Sequence, residues 1–159
     1  MSAIIHIIIP DGFFKRGDFL ILVHQLSRKE ELKNFGLFFL TMLITTTELK
    51  KLIDGKKKDY ILIDVRQPDE LLYGMIPTAK NISLPELEEA FLLTEREFVK
   101  KYGFAKPNKK GKIIMYCRTG GRSQTATRLL VNQGYNAINY AGSIWEWSDI
   151  DPTVKKYFH

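Results

Sequence analysis

The stretch Ile113 to Gln133, IIMYCRTGGRSQTATRLLVNQ, decides how this chain folds. Ile113, Ile114, Met115 and Tyr116 are a short apolar run of the kind that makes a buried strand, and Ser123 to Gln133 reads as a helix closed by Gly134. Between them sits Cys117, the single cysteine of the chain, followed by Arg118, Thr119, Gly120, Gly121 and Arg122 as a loop. The two adjacent glycines allow positive φ angles that a side chain would forbid, so successive N–H groups can converge on one point over Cys117. A helix beginning near Ser123 adds its unpaired first N–H groups and the positive end of its dipole to the same point. A sulfur held there is favoured as the thiolate, which is the nucleophile. A lone cysteine without such surroundings is usually an inert core residue. Strand, cysteine, glycine loop, arginines and helix in this order point instead to a reactive thiol.

Outward from this stretch the pattern is regular. Thr47 or a neighbouring threonine caps a short helix over Glu48 to Ile53, with Gly55 just past its end. Tyr60 to Val65 is a nearly continuous apolar strand, as expected for a parallel sheet covered on both faces. Pro68 opens a helical turn through Tyr73, and Asn81 to Leu84 reads as a short strand. Pro85 leads into a helix over Glu86 to Leu93, and Thr94 with Glu97 forms a capping box for Glu95 to Tyr102, ended by Gly103. Ala137 to Tyr140 is a further strand, and Ile144 to Ser148 a short helix. Strands and helices alternating at these lengths imply an α/β fold: a central parallel sheet with helices on both faces. Ligands in such sheets bind beyond the carboxyl ends of the strands, where Cys117 falls.

Composition narrows the function class. The 159 residues suffice for one domain of ordinary size plus an extension, and 45% hydrophobic with 26% charged residues is globular composition. The net charge of +6 is spread among Glu and Asp, apart from short runs at Lys56-Lys57-Lys58 and Lys109-Lys110. That distribution reads as solvated loops rather than a nucleic-acid surface, and it favours an anionic substrate. One cysteine excludes an internal disulfide and a CxxC metal site, so a reducing compartment is the default. His6, His24 and His159 have no spacing suited to metal ligation, and no metal or cofactor is implied.

Residues 1–41 form an extension set apart from a domain over 42–159. Its apolar bursts, Ile4 to Ile9, Phe19 to Val23 and Phe35 to Ile44, are each shorter than a transmembrane helix needs. A leader, a loose hairpin turning at Pro10-Asp11-Gly12, and a start at Met42 are the three readings of this segment. The expected compartment is cytoplasmic, with mitochondrial as the alternative.

The segment from Cys117 to Arg122 resembles the active-site loop of the rhodanese sulfurtransferases, in which six residues beginning with a cysteine cradle a persulfide. Leu62-Ile63-Asp64-Val65-Arg66, Glu70 and Gly74-Met75-Ile76-Pro77-Thr78-Ala79-Lys80-Asn81-Ile82 are similar to the family's early signature. Gly142-Ser143-Ile144-Trp145-Glu146-Trp147 resembles its late one. Met75, Thr78 and Ser143 depart from the family's usual His, Gly and Gly, and are expected to alter packing or pocket shape. The resemblance implies a rhodanese-like three-layer fold and an enzyme that moves a sulfane sulfur from thiosulfate or a related donor to cyanide or a thiol.

By that resemblance Cys117 is catalytic, and Arg118, Thr119, Gly120, Gly121, Arg122 and Ser123 bind the donor and the persulfide. Asp64 and Arg66 are expected to support the site rather than react. Trp145 lines the pocket or packs on the sheet, and Trp147 and Tyr116 belong to the core. Partners are a small anionic donor and a thiol or cyanide acceptor, a thioredoxin- or glutathione-type acceptor among them. A sulfur relay or regulatory module acting on a protein partner is the alternative. Cysteine-dependent phosphatases and arsenate reductases are disfavoured, because their Cys, five residues, Arg spacing puts Ser123 where they need the arginine.

Overall fold

The computed structural model describes residues 43–55 and 59–158. Helix α1, Thr46–Asp54, starts at a reciprocal cap: Glu48 N donates to Thr45 Oγ1 at 3.2 Å, and Thr45 N to Glu48 Oε2 at 2.9 Å. Strand β1 is Tyr60–Asp64, followed by a 3-10 helix over Pro68–Tyr73 and by β2, Lys80–Asn81. Helices α2, Leu84–Leu92, and α3, Glu95–Tyr102, precede β3, Lys112–Tyr116. The chain continues through α4, Gly121–Asn132, β4, Ala137–Asn139, and α5, Ser143–Trp147.

All four strands run parallel in the order β2-β1-β3-β4. Asp64 lies opposite Tyr116, so β1 and β3 end level and their following residues emerge at one edge. Alternate residues of β3 supply two separate cores. Ile113, Met115 and Cys117 pack with Leu87, Phe91 and Phe98 and with Ala126 and Leu130 of α4. Ile114 and Tyr116 face Leu49, Ile144, Trp147 and Tyr157 on the other side. The α/β architecture with helices on both faces of a parallel sheet is thus as the sequence pattern implied.

Boundaries differ by one to three residues, with identifiable causes. The helix expected from Ser123 begins at Gly121, because Gly120 alone turns the chain, at φ 94°, while Gly121 is helical. The loop between β3 and α4 is therefore shorter than expected. The strand expected over Asn81 to Leu84 shrinks to Lys80–Asn81, since Leu84 already opens α2, with Pro85 in its first turn. The readings made for residues 1–41, for Met42, for Lys56-Lys57-Lys58 and for His159 lie outside the described residues.

A buried polar network locks the edge where β1 ends. Arg66, fully buried, donates from Nε and Nη2 to Asp64 at 2.7 to 3.0 Å, and from Nη2 to Gly74 O at 2.7 Å. Burial opposes the Arg66 charge, but the Asp64 carboxylate outweighs it and holds the guanidinium protonated. Glu70, in the 3-10 helix, is 4% exposed. Its Oε1 accepts from Arg122 Nη2 at 2.7 Å and from the Tyr157 hydroxyl at 2.6 Å, while Oε2 accepts from Arg122 Nη1 and, at 3.0 Å, from Gln67 N. Burial pushes the Glu70 carboxyl up, yet the bonds from Arg122, Tyr157 and Gln67 prevail and hold it at about 2, against an ordinary 4.5.

Two expectations follow. Because the folded-state value of Glu70 is depressed, its contribution to stability is full above pH 4.5 and disappears as pH falls toward 2. Glu70→Gln should therefore be destabilised at pH 7 by on the order of 3 kcal/mol, and urea denaturation at stepped pH should show the gap to wild type closing over that window. At Gly120, a Cβ would stand 2.4 Å from Ala141 O on a backbone with φ of +94°. Gly120→Ala should lower stability by at least about 1 to 3 kcal/mol, read as a fall in urea midpoint.

Candidate active site

Cys117 follows β3 directly, and its sulfur is buried at the N-terminal end of α4. The turn at Gly120 aims the Gly120 N–H at Sγ, 3.1 Å away. Ser123 Oγ lies 3.6 Å from Sγ while donating to Gly120 O at 3.0 Å, and Ser143 Oγ lies 4.0 Å from Sγ on the opposite side. One backbone amide, two hydroxyls and a helix N-terminus thus surround one sulfur. The amide points its proton at the sulfur, whereas the hydroxyl protons go to carbonyls, Ser123's to Gly120 O and Ser143's to Tyr140 O at 2.9 Å.

The start of α5 holds the loop from behind. Ile144 N donates to Cys117 O at 3.1 Å and Trp145 N to Arg118 O at 3.0 Å, while Ser143 Oγ accepts from Cys117 N at 3.2 Å. Ser143 itself has φ of +52°, a left-handed conformation that explains why a glycine would be at home there. The sequence reading gave Ser143 an effect on packing or pocket shape without specifying its contact with Cys117. The departure from the Gly-Gly pattern was the available signal, since a hydroxyl replacing a hydrogen atom at such a position has to bond something.

The two arginines of the loop have different situations. Arg122, in the first turn of α4, commits both Nη atoms to Glu70, which raises its affinity for the proton against the opposing effect of burial. Arg118 is half-buried, with its guanidinium 5.5 Å above the Tyr157 ring and Nη1 3.4 Å from Tyr157 O. Thr119 is exposed beside it, and Gly121 begins α4. The pairing of Arg122 with Glu70 was not foreseen, because 52 positions separate the partners.

Asp64 and Arg66 are sealed under this layer, bonded to each other, and contribute no atom to the open site. Trp145 does face an opening. A cavity of about 470 Å³ beside the loop is lined by Arg118, Thr119, Ala141, Gly142, Trp145 and Glu146, with Phe158 at its rim. Trp145 and Phe158 meet edge to face at 5.3 Å, and the Lys156 ammonium sits over Trp145. Trp147, by contrast, is core, with its indole N–H on Asp151 at 3.0 Å. Among the described residues no helix is long and apolar enough to cross a membrane.

Comparison with known proteins agrees with this geometry. Residues 45–150 match the Rhodanese-like domain family. A Schizosaccharomyces pombe protein, provisionally named a mitochondrial thiosulfate sulfurtransferase, is 48% identical over 93 residues, spanning 58% of this chain and 66% of that one. The Homo sapiens thiosulfate:glutathione sulfurtransferase is 36% identical over 107 residues, 65% of this chain and 90% of its own length. The structure of a human single-domain sulfurtransferase superposes with a TM-score of 0.65 at 33% identity, covering 69% of this chain and 97% of that one. On the family match over residues 45–150 and these sulfurtransferase relatives, the chain belongs to the rhodanese-like domain family, as a sulfurtransferase enzyme.

Proposed function

We propose that this sulfurtransferase takes the outer sulfur of thiosulfate onto Cys117 and passes it from the resulting persulfide to a small thiol of the glutathione type. The observation that carries the reading is the Gly120 N–H at 3.1 Å from Cys117 Sγ, at the N-terminus of α4 and at the end of a central parallel strand. In the first half-reaction the thiolate attacks the outer sulfur of thiosulfate, an S–S bond to Cys117 forms, and sulfite leaves with the electron pair of the bond it loses. The loop amide and the Ser123 and Ser143 hydroxyls then face a persulfide anion instead of a thiolate. In the second half-reaction the acceptor thiolate attacks the outer sulfur and Cys117 departs as thiolate, which closes a ping-pong cycle.

In this reading Arg118, Thr119, Gly120, Gly121, Arg122 and Ser123 are the donor-binding set around catalytic Cys117. Arg118 brings positive charge to the cavity, and Arg122, in the first turn of α4, is fixed by Glu70. Asp64 and Arg66 support the loop from below. The cavity beside Trp145 has the volume of a small-molecule site, which favours a small thiol over a docked protein as acceptor. The naming of the human relative for glutathione supports the same choice. A phosphatase reading gains nothing from the geometry, because Ser123 occupies the sixth position after Cys117 and is buried against Gly120 O.

We also infer a division into an extension, 1–41, and a catalytic domain, 42–159, with the extension acting as a leader to mitochondria. The mitochondrial name of the S. pombe relative supports this compartment over the cytoplasmic one. Peptide mapping of protein purified from isolated mitochondria should find the chain beginning close to residue 42; abundant peptides from 1–41 in that fraction would refute the leader.

The chemistry is tested by intact mass after brief exposure to thiosulfate. The wild type should gain one sulfur atom and lose it to glutathione or cyanide, and Cys117→Ser should gain none. An unchanged wild-type mass, or sulfur uptake by the serine variant, would overturn the assignment.

A further inference from the structure

Tyr157 lies far along the chain from the loop, yet it reaches both of the loop's arginines, Arg118 directly and Arg122 through Glu70. Its hydroxyl donates to Glu70 Oε1 at 2.6 Å, and Glu70 in turn holds Arg122 through both Nη atoms. Its ring lies under the Arg118 guanidinium at 5.5 Å, and its carbonyl accepts from Arg118 Nη1 at 3.4 Å. The ring is clamped in turn: it stacks on Tyr73 with centroids 4.0 Å apart and planes 6° from parallel, and Arg66 Nη1 reaches its hydroxyl at 3.4 Å. Tyr157 is 4% exposed, so these contacts are made out of water, where a charge-assisted bond is strongest.

The Glu70 carboxylate has about four acceptor positions, and four donors occupy them: Arg122 twice, Gln67 N and the Tyr157 hydroxyl. A carboxylate held on all sides keeps one orientation, and with it the Arg122 fork. Taking away the Tyr157 hydroxyl leaves Oε1 held by Arg122 Nη2 alone, so the carboxylate and the guanidinium it holds can turn together. The ring contacts with Tyr73 and Arg118 survive that change, which separates positioning by the hydroxyl from packing by the ring.

Resting on the reading of Arg122 as a donor-binding residue, we propose that Tyr157 is a positioning residue for the sulfur donor, acting through Glu70 on Arg122. The C-terminal segment is on this view part of the donor site, although it carries no atom that touches the reacting sulfur.

The test is steady-state kinetics of the full chain, varying thiosulfate and glutathione separately, for wild type, Tyr157→Phe, Glu70→Gln and the double variant. Tyr157→Phe should raise KM for thiosulfate about fivefold, the effect of one lost hydrogen bond, with kcat and KM for glutathione within twofold of wild type. In the Glu70→Gln background the same substitution should change thiosulfate KM by less than twofold, because the link it cuts is already broken. Tyr157→His, which keeps a ring on Tyr73 without the hydroxyl's reach, replaces the Phe variant if that protein does not fold, with the same expected split. A thiosulfate KM within twofold of wild type, equal losses in both half-reactions, or a full effect in the Glu70→Gln background would each overturn the proposal. Failure of the wild type itself to take sulfur from thiosulfate would instead overturn the donor assignment.

Discussion

The close passage of Gly120 against Ala141 is the constraint from which the site follows. A side chain at position 120 would need the space of the Ala141 carbonyl, and the backbone there has φ of +94°. Only a glycine lets the chain leave β3, reverse within three residues and start α4 at Gly121. That reversal puts an amide on the sulfur and the helix N-terminus behind it. The same proximity brings the start of α5 under the loop, where Ile144 N and Trp145 N take the Cys117 and Arg118 carbonyls. Nucleophile, cradle and support are therefore one packing arrangement.

Electrostatics adds the second layer. The Glu70 carboxylate is buried and ionised, which is tenable only because four donors meet it. Two of those donors come from Arg122, one from Tyr157 and one from the backbone of its own turn, so the carboxylate joins the 3-10 helix, α4 and the C-terminal segment. The Asp64–Arg66 pair does the same one level lower, tying the end of β1 to Glu70 O and Gly74 O. Breaking either pair leaves a buried charge without its partner, which costs more than the pair contributes when whole. Arg122 thus gains a fixed position from a residue 52 positions away in the chain.

Much of this was legible from local pattern. The apolar run Ile113 to Tyr116, the Thr94 and Glu97 cap, the Pro68 turn and Gly103 each act within a few residues, and the sheet with its covered faces follows from their order. Cys117 and its loop were identifiable because strand, nucleophile, glycine and helix are adjacent in sequence. Less was legible where one sequence signal admits two geometries. Gly120 and Gly121 look alike in the sequence, and only the neighbour at Ala141 makes one a turn and the other a helical residue.

The fold class, and the succession of strand, Cys117, glycine turn and helix, were legible in the sequence alone, because they rest on periodicity and on residues contiguous in the chain. Tertiary structure decided which side chains share the cradle: Ser143, 26 positions from Cys117, Glu70, 52 from Arg122, and Tyr157, 87 from Glu70. No period or spacing links such residues, since their meeting depends on the level ending of β1 and β3 and on how α5 and the C-terminal segment fold back across that edge. The physical reason is that local propensity acts over a few residues, whereas a buried charge is satisfied by whatever donors packing brings within about 3 Å.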